Sequence, residues 1–586
     1  MGQRHFTFCH DGRRWPRRVP VTQNTHHCQC DRVNLVACVR GVRRLGFAAV
    51  LFAVSLGVLR PTNCFAAGGV LTVAVEDEDA GEATVTRMEL YRADGKPQLV
   101  RRAAGAGLGV VVSDSLELAL PDGPYQFRFI RGPEYRIITG NFTLERTSRD
   151  EKTVRLPRMV DMKQEGWLSG DLAVPPNTPD LLLRMMAEDL HFAAVIATEG
   201  PNTMPQAVPK NQKPFEPLWT RQGVMASNDE SLLVYSLADA NQLGDIATRP
   251  GEVTSQWIDR LGSVEPNSEA EAEAEHKSAS TKLAIANPFD WSVPVWLASE
   301  RIDGMFVLGE WLTQDKKVES IKDGRPPVAP GFDGPLGPGR YAESIYWNAL
   351  EAGLRLAPLA GTGVSKGHAT RTNIGYNRVY AAANSPIDAT GSAGDPQEFD
   401  ETTTLAVTIE NETQFWDSVW SGQSMVTNGP MLRPTLGGYP PGHRFEATAG
   451  ERLQLMMELK LSVRDPVEYL EIIHNGRVFY SARLDEFAAA GGQLPEMEIE
   501  ESGWAVVRVV TQHESHYRMA TSAPWYFEFD GKPRVSRTAV NFFGQWLKDC
   551  EAELKKLPPD ELAKHVAGVT RARKFWGERL MSATVE

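Results

Sequence analysis

Apolar and polar residues alternate along much of the first third of the chain. "GVLTVAVED", "TRMELYRA", "LGVVVSD", "YQFRFIRG", "GNFTLERT" and "KTVRLPR" follow one another between about 68 and 160, separated by turn signals such as Asp94-Gly95 and Asp122-Gly123. A period of two puts successive side chains on opposite faces of a strand, so this stretch predicts a small β-sandwich over 68–160.

After Trp167 the pattern changes. "TPDLLLRMMAEDL" has helical spacing, with Thr178 as the expected N-cap. "HFAAVIATEG" reads as a buried strand, and "SLLVYSLAD", "TKLAIANPF" and "IDGMFVLGE" are further short apolar runs, with helical stretches such as "SVPVWLASER" and "YAESIYWNALEAGLRL" between them. Buried strands alternating with helices predict an α/β barrel or sheet over 161–436. From 437 to 534 the chain returns to strand pattern, "LQLMMELKL", "EYLEIIHNGRVFYSARL", "GWAVVRVVTQ" and "PWYFEFDG", with Asn475-Gly476 as a hairpin turn, and a second β-sandwich is expected there. Residues 535–586 read as a helix pair broken at Pro558-Pro559, whose stripe of Phe542, Phe543, Trp546 and Leu547 is expected to pack. The acidic run Val264 to Ser280 reads as a solvated insertion, and the Gly/Pro-rich run Asp323 to Arg340 as a long loop.

Charge narrows the partners. The 586 residues carry a net charge of −13, but the first 67 hold ten Arg against two Asp, so residues 68–586 carry −21. Such a surface repels phosphate backbones, and no nucleic-acid partner is expected. Arg40, Arg43 and Arg44 precede an apolar stretch from Leu45 to Leu59, too short to span a bilayer, followed by "CFAA". This is the pattern of a cleaved secretory signal, with cleavage after Ala66 or Ala67, and it predicts an exported protein, periplasmic or extracellular, with no transmembrane segment in the mature chain. Five of the six cysteines (Cys9, Cys28, Cys30, Cys38 and Cys64) fall in the leader, so the body, with Cys550 alone, is held by packing rather than disulfides.

Several stretches carry a family resemblance: "GWLSGDLAV", "LRMMAEDLHFAAVIAT", "NPFDWSVPVWLASERIDGM", "YWNALEAGLRLAPLAGTGVSKG", "GYNRVY", "FWDSVWSGQSMVTNGPMLRP" and "PGHRF". Together they resemble secreted proteins of the PHP (polymerase and histidinol phosphatase) superfamily, in its CehA/McbA-like branch. The resemblance implies a distorted (β/α) barrel, flanked by β-sandwich companions. In active members, His, Asp and Glu at the strand ends hold two or three divalent metals that activate water for ester hydrolysis.

This sequence departs from that pattern where the metal is bound. The family's Gly-Asp-x-His-x-His stands here as Gly170-Asp171-Leu172-Ala173-Val174-Pro175. A His-Pro pair becomes Asn287-Pro288, and an Asn-His pair corresponds to Glu310-Trp311. Between 161 and 435 only His191, His276 and His368 occur, too few for a multinuclear site that draws on four or more imidazoles. The remaining pocket candidates are Asp171, Glu199, Asn287, Glu310 and His368; His191 reads as a core or interface residue. "GVSKG" (Gly363 to Gly367) matches the spacing of a nucleophile elbow, but loop and strand rather than helix follow Ser365, so no nucleophile is assigned. No catalytic residue, metal or other cofactor is therefore expected. The favoured expectation is a non-catalytic binding protein for a small molecule or protein ligand. The alternative is a metal-dependent hydrolase of phosphoesters or other esters with a reduced divalent-metal site.

Overall fold

The computed structural model describes residues 68–176, 178–197, 223–236, 247–262, 281–312, 324–364, 373–382, 409–514 and 516–586. The protein is multidomain, mostly β with a few helices. Two sheets open the described chain. β1 (Val70–Asp77) lies between β5 (Ser115–Ala119) and β8 (Arg149–Leu156). β2 (Thr86–Arg92) lies at the centre of a second sheet with β3 (Gly105–Ala106), β4 (Gly109–Val112), β6 (Gly123–Ile130) and β7 (Ile138–Leu144). The alternation seen in the sequence is the cause: Leu71, Val73 and Val75 all point one way, onto Met88, Leu90, Tyr125 and Phe129, and the two sheets share that core.

The next region is a curled half-barrel. β9 (Trp167–Val174) pairs in parallel with β10 (Phe192–Val195), and α1 (Leu181–Ala187) connects them. A parallel bridge from Ile196 to Val224 leads on to β11 (Gly223–Ala226). β12 (Leu232–Ser236) is antiparallel to both its neighbours, while β13 (Lys282–Ile285), β14 (Gly304–Leu308) and β15 (Ala357–Ala360) are parallel. Beyond β15, the Gly363 N–H donates to the Ala173 carbonyl at 2.8 Å and brings the last strand of the curl back to the first. These strands are covered on both faces, which is why they read as unbroken apolar runs rather than alternating ones. The carboxyl ends of β9, β10, β11, β13, β14 and β15 consequently lie at one end of the curl. α2 (Thr254–Gly262), α3 (Val293–Leu297) and α4 (Gly337–Glu351) belong to the same region.

Two local expectations need correction. Thr178 does not cap α1; its hydroxyl donates to the Pro175 carbonyl at 2.7 Å, and the helix starts after Asp180, which sits in the left-handed region at φ 49°. β11 and β12 are joined by the tight turn Ser227–Ser231 instead of a helix, so the alternation of strand and helix is broken there.

β16 (Arg378–Ala382) returns antiparallel to β9 and pairs with β17 (Ser424–Thr427), which follows α5 (Ile409–Ser421). The remaining strands are β18 (Met431–Leu436), β19 (Arg444–Ala447), β20 (Leu453–Leu455), β21 (Met457–Ser462), β22 (Val467–His474), β23 (Arg477–Ala482), β24 (Met497–Ile499), β25 (Gly503–Thr511), β26 (Met519–Ser522) and β27 (Trp525–Phe529), with α6 (Leu484–Ala489) after β23. β17 pairs with β26, so one sheet runs β10-β9-β16-β17-β26-β25-β22-β23, with β27 and β19 branching from β25. The sheet therefore passes without a break from the half-barrel into the C-terminal strands. The β22–β23 turn holds Asn475 at φ 51° and Gly476 at φ 69°, the two positive angles that a tight hairpin of this kind requires.

Two helices close the chain, α7 (Arg537–Leu554), capped by the Ser536 hydroxyl, and α8 (Pro559–Met581). Phe543, Trp546, Leu547 and Cys550 are buried in the same core as the half-barrel strands. Trp576 stacks on Phe543 at 4.9 Å and donates its indole N–H to the Pro294 carbonyl at 2.9 Å, fixing α8 against α3. Arg325 reaches Asp549 at 2.9 Å and lies over the ring of Trp546. Among the described residues no helix is long and apolar enough to cross a membrane.

Candidate functional site

Asp171 lies near the carboxyl end of β9 and is fully buried. One carboxylate oxygen accepts the N–H groups of Ala173 (3.2 Å) and Thr362 (2.9 Å); the other accepts the Gly375 N–H (2.8 Å) and the Thr362 hydroxyl. Burial pushes this carboxyl above its ordinary range, and the four donors pull it back. The side chain thus joins three separate segments: its own strand, the loop after β15 and the turn before β16.

That loop fits only because it is glycine-rich. A Cβ on Gly361 would stand 2.6 Å from the Ala173 nitrogen, and one on Gly363, at φ 137°, would stand 2.5 Å from the Glu310 Cβ. The loop passes between Asp171 and Glu310, whose carboxylate accepts the Val364 N–H at 3.2 Å. Asn377 holds the same region from beneath, donating to the carbonyls of Gly309 (3.0 Å) and Gly361 (3.2 Å).

Two of the five pocket candidates, Asp171 and Glu310, are therefore brought to opposite sides of one loop. Asn287 instead closes a local turn, accepting the Phe289 N–H at 3.1 Å, and Phe289 packs edge-on against Trp311. Glu199 and His368, with Ser365 and His276, lie outside the described residues. His191 is buried with its ring nitrogen 2.9 Å from the Ser169 hydroxyl, and burial pushes its pKa down to about 3, so it is neutral. Among the described residues no three His, Cys, Asp or Glu side chains gather as a cation would need.

The structure adds groups that sequence reasoning did not single out. At the same end of the curl, the β11–β12 turn carries Asp229, which accepts from the Ser231 N–H (3.2 Å), the Thr254 hydroxyl (2.7 Å) and the Ser227 hydroxyl. Asp290, three residues after Asn287, accepts from the Ser231 hydroxyl (2.9 Å) and the Ser292 N–H (2.8 Å). Burial, and then the nearby Asp229 carboxylate, push Asp290 up to about 6. Beside them opens a cavity of about 250 Å³, walled by the turn, α2, α3 and the two terminal helices.

Asp290 predicts a pH effect of definite sign. Its folded pKa of about 6 exceeds the unfolded value of about 3.9, so the folded state holds the proton longer. The stability this contributes is complete below about pH 4 and is lost as pH rises through about 6, a difference of about 2–3 kcal/mol. Asp290→Asn keeps an acceptor for Ser292 and carries no charge. It is expected to be more stable than the wild type at pH 7 and to lack this slope. Urea titrations at a series of pH values check it; an unchanged slope in the variant rejects Asp290 as the source.

No family model matches the chain, and no curated protein matches it. Among solved structures, it is similar over part of its length to GBS52, the minor pilin of Streptococcus agalactiae (18% identity, 16% of this chain and 46% of that one, TM-score 0.14). It is similar also to BcpA, the major pilin subunit of Bacillus cereus (14% identity, 16% of this chain and 30% of that one, TM-score 0.13). A longer alignment joins it to a Bacteroides uniformis β-glucuronidase (10% identity, 81% of this chain and 59% of that one, TM-score 0.15). The chain spans less than half the length of either pilin. TM-scores this low carry no argument about fold or function.

Proposed function

We propose that the mature chain is an exported, non-catalytic binding protein on a scaffold similar to the PHP superfamily's CehA/McbA-like barrels, with the metal site lost. The observation that supports this most is the state of Asp171. A carboxylate that opens a metal-binding motif must turn lone pairs toward the cation, whereas here both oxygens are occupied by Ala173, Thr362 and Gly375. The two following positions of the motif are Ala173, buried against the Gly361 loop, and Pro175, and neither side chain can ligate a metal. Metal-assisted hydrolysis needs several preorganised ligands to bring bound water toward a pKa of about 7. Binding of a ligand needs only a shaped, polar-lined cavity, and the strand-end cavity beside Asp229 supplies one.

The test is turnover. With Mn²⁺, Zn²⁺ and Mg²⁺ supplied in turn, the mature protein is expected to hydrolyse generic phosphodiesters and esters no faster than its Glu199→Ala variant. Metal-dependent activity that disappears in Glu199→Ala or His368→Ala overturns the reading in favour of a hydrolase. Export rests on the Arg-flanked apolar stretch Leu45 to Leu59. N-terminal sequencing of protein from its native host should begin at Ala67 or Gly68, and an intact leader would contradict export.

A further inference from the structure

We infer that the N-terminal β-sandwich is latched to the half-barrel by a proton held on Glu134, and that the joint loosens when that proton leaves. The connection between β6 and β7 carries Glu134 into the seam between the two, where it is 1% exposed. One carboxyl oxygen accepts the Tyr380 hydroxyl of β16 at 2.9 Å. The other accepts the N–H of Met162, in the segment that joins sandwich to half-barrel, also at 2.9 Å. The Met159 N–H adds a bond to the Glu134 carbonyl at 2.8 Å. The same connection is held firmly on either side of the carboxyl. Arg131 pairs with Asp189 at 2.8 Å, and Arg464 donates to the carbonyls of Gly132 (2.6 Å) and Tyr135 (3.1 Å). Gly132, at φ 49°, lies so close to the half-barrel that a Cβ would stand 2.4 Å from the Glu188 carbonyl oxygen. The connection therefore has no slack with which to give Glu134 a closer counter-charge.

Asp189, from the connection between α1 and β10, competes with Glu134 for Arg158. Asp189 wins: Arg158 and Arg131 each reach it at 2.8 Å. Arg158 stands 3.4 Å from Glu134 and also pairs with Asp161 at 2.9 Å. The other cations that face the seam are occupied. Arg378 of β16 donates to the carbonyls of Gly375 and Glu188, and Arg433 of β18 pairs with Glu165 at 3.0 Å. Lys163 acts on Asp161 and Asp189. His191 is neutral, and the Tyr135 hydroxyl donates to Asp77, so neither adds charge. Burial, and then the Asp189 carboxylate, accordingly push Glu134 up to about 7 against the pull of Arg158. Burial would raise Asp189 as well, but Arg131 and Arg158 hold it down to about 2. The protonated carboxyl fits without rearrangement, since the Tyr380 hydroxyl can turn from donor to acceptor and take the new O–H. Because the value in the closed joint exceeds the unfolded one of about 4.3, the proton stabilises closure. That stabilisation is complete below about pH 4 and is lost as pH rises through about 7. The seat of the sandwich thus depends on the acidity of the surroundings, whatever the protein binds.

The test is hydrogen exchange of the protein, read as protection after division by the intrinsic exchange rate at each pH. Peptides spanning the joint, at 157–167, are compared with peptides of β23, at the far edge of the long sheet. One proton with these two values makes opening of the joint about tenfold easier between pH 6 and pH 8, and hardly easier again above pH 8. Joint protection is expected to fall by about that factor while β23 keeps its own. Glu134→Gln keeps an oxygen for the Met162 N–H and turns its amide to the Tyr380 hydroxyl, with no proton to lose. It should show the pH 6 protection at both pH values. Tyr380→Phe takes a donor from the ionised carboxylate, so its loss of protection should begin at higher pH than in the wild type. Equal joint protection at pH 6 and pH 8 in the wild type overturns the inference, as does a fall shared equally by β23. A fall that persists in folded Glu134→Gln overturns it too. If that variant does not fold, Tyr380→Phe decides, and a midpoint that stays in place or moves to lower pH rejects Glu134 as the latch.

Discussion

Asp171→Ala is expected to lower the stability of the half-barrel by about 3–5 kcal/mol, among the largest effects of any single substitution in this chain. The change deletes the acceptor for three backbone N–H groups and one hydroxyl, all buried, and each stranded donor costs about 1–3 kcal/mol less whatever relaxation allows. The isosteric Asp171→Asn is expected to fare little better. Both carboxylate oxygens face backbone N–H donors, Ala173 and Thr362 on one side and Gly375 on the other, so an amide NH₂ meets a donor whichever way it is turned. Urea denaturation followed by tryptophan fluorescence checks both. A loss under about 1 kcal/mol for either variant would mean that the three segments are held together by something other than this carboxylate. The same reasoning bears on repair of the metal motif: Ala173→His places an imidazole where the Gly361 loop already lies in contact, so it is expected to destabilise before it can ligate.

Trp576→Ala is expected to cost a similar amount, about 3–5 kcal/mol, by a different route. The indole is 3% exposed, stacks on Phe543 and donates to Pro294, so its removal leaves a large void and takes a hydrogen bond from the seam between α8 and α3. α8 also carries His565 and Val569 into the cavity wall, so the cavity should lose that wall if the helix detaches. Trp576→Phe keeps the stack and removes only the hydrogen bond, and should cost about 1 kcal/mol. Limited proteolysis near Pro558-Pro559 reports whether α8 has detached; resistance equal to wild type in Trp576→Ala would show that other contacts hold it.

Local pattern carried most of the strands. The alternating runs before 160 and the Asn475-Gly476 hairpin are readable because period and turn chemistry are set by neighbours in sequence. The apolar runs "FAAV", "KLAI" and "GMFVL" are legible as buried strands, but nothing within them says that β12 runs antiparallel or that β16 comes back against β9. The start of α1 was missed because Asp180 adopts a left-handed conformation that Thr178 does not announce. At the site, the loss of His at Ala173 and Pro175 is visible in sequence, while the bonds that occupy Asp171 come from residues some two hundred positions away. Asp229, Asp290 and His565 could not be grouped beforehand: one is in a turn, one follows a strand, and one is on a terminal helix whose apolar stripe reads as packing. Only the fold brings Asp229 and His565 to one cavity and Asp290 to the Ser231 hydroxyl beside it.

The unbroken sheet governs when this chain can finish folding. Its middle pairings join Gly170 to Val379 and Thr427 to Ala520, so β9 waits for β16, and β17 waits for β26 near the end of the chain. Closing such long loops precedes any gain from the contacts they make, which makes formation slow and leaves strand edges open in the meantime. A chain that emerges from its N-terminus cannot complete this sheet until β26 has been delivered, and until then the half-formed edges of β9 and β17 stay open to wrong pairing.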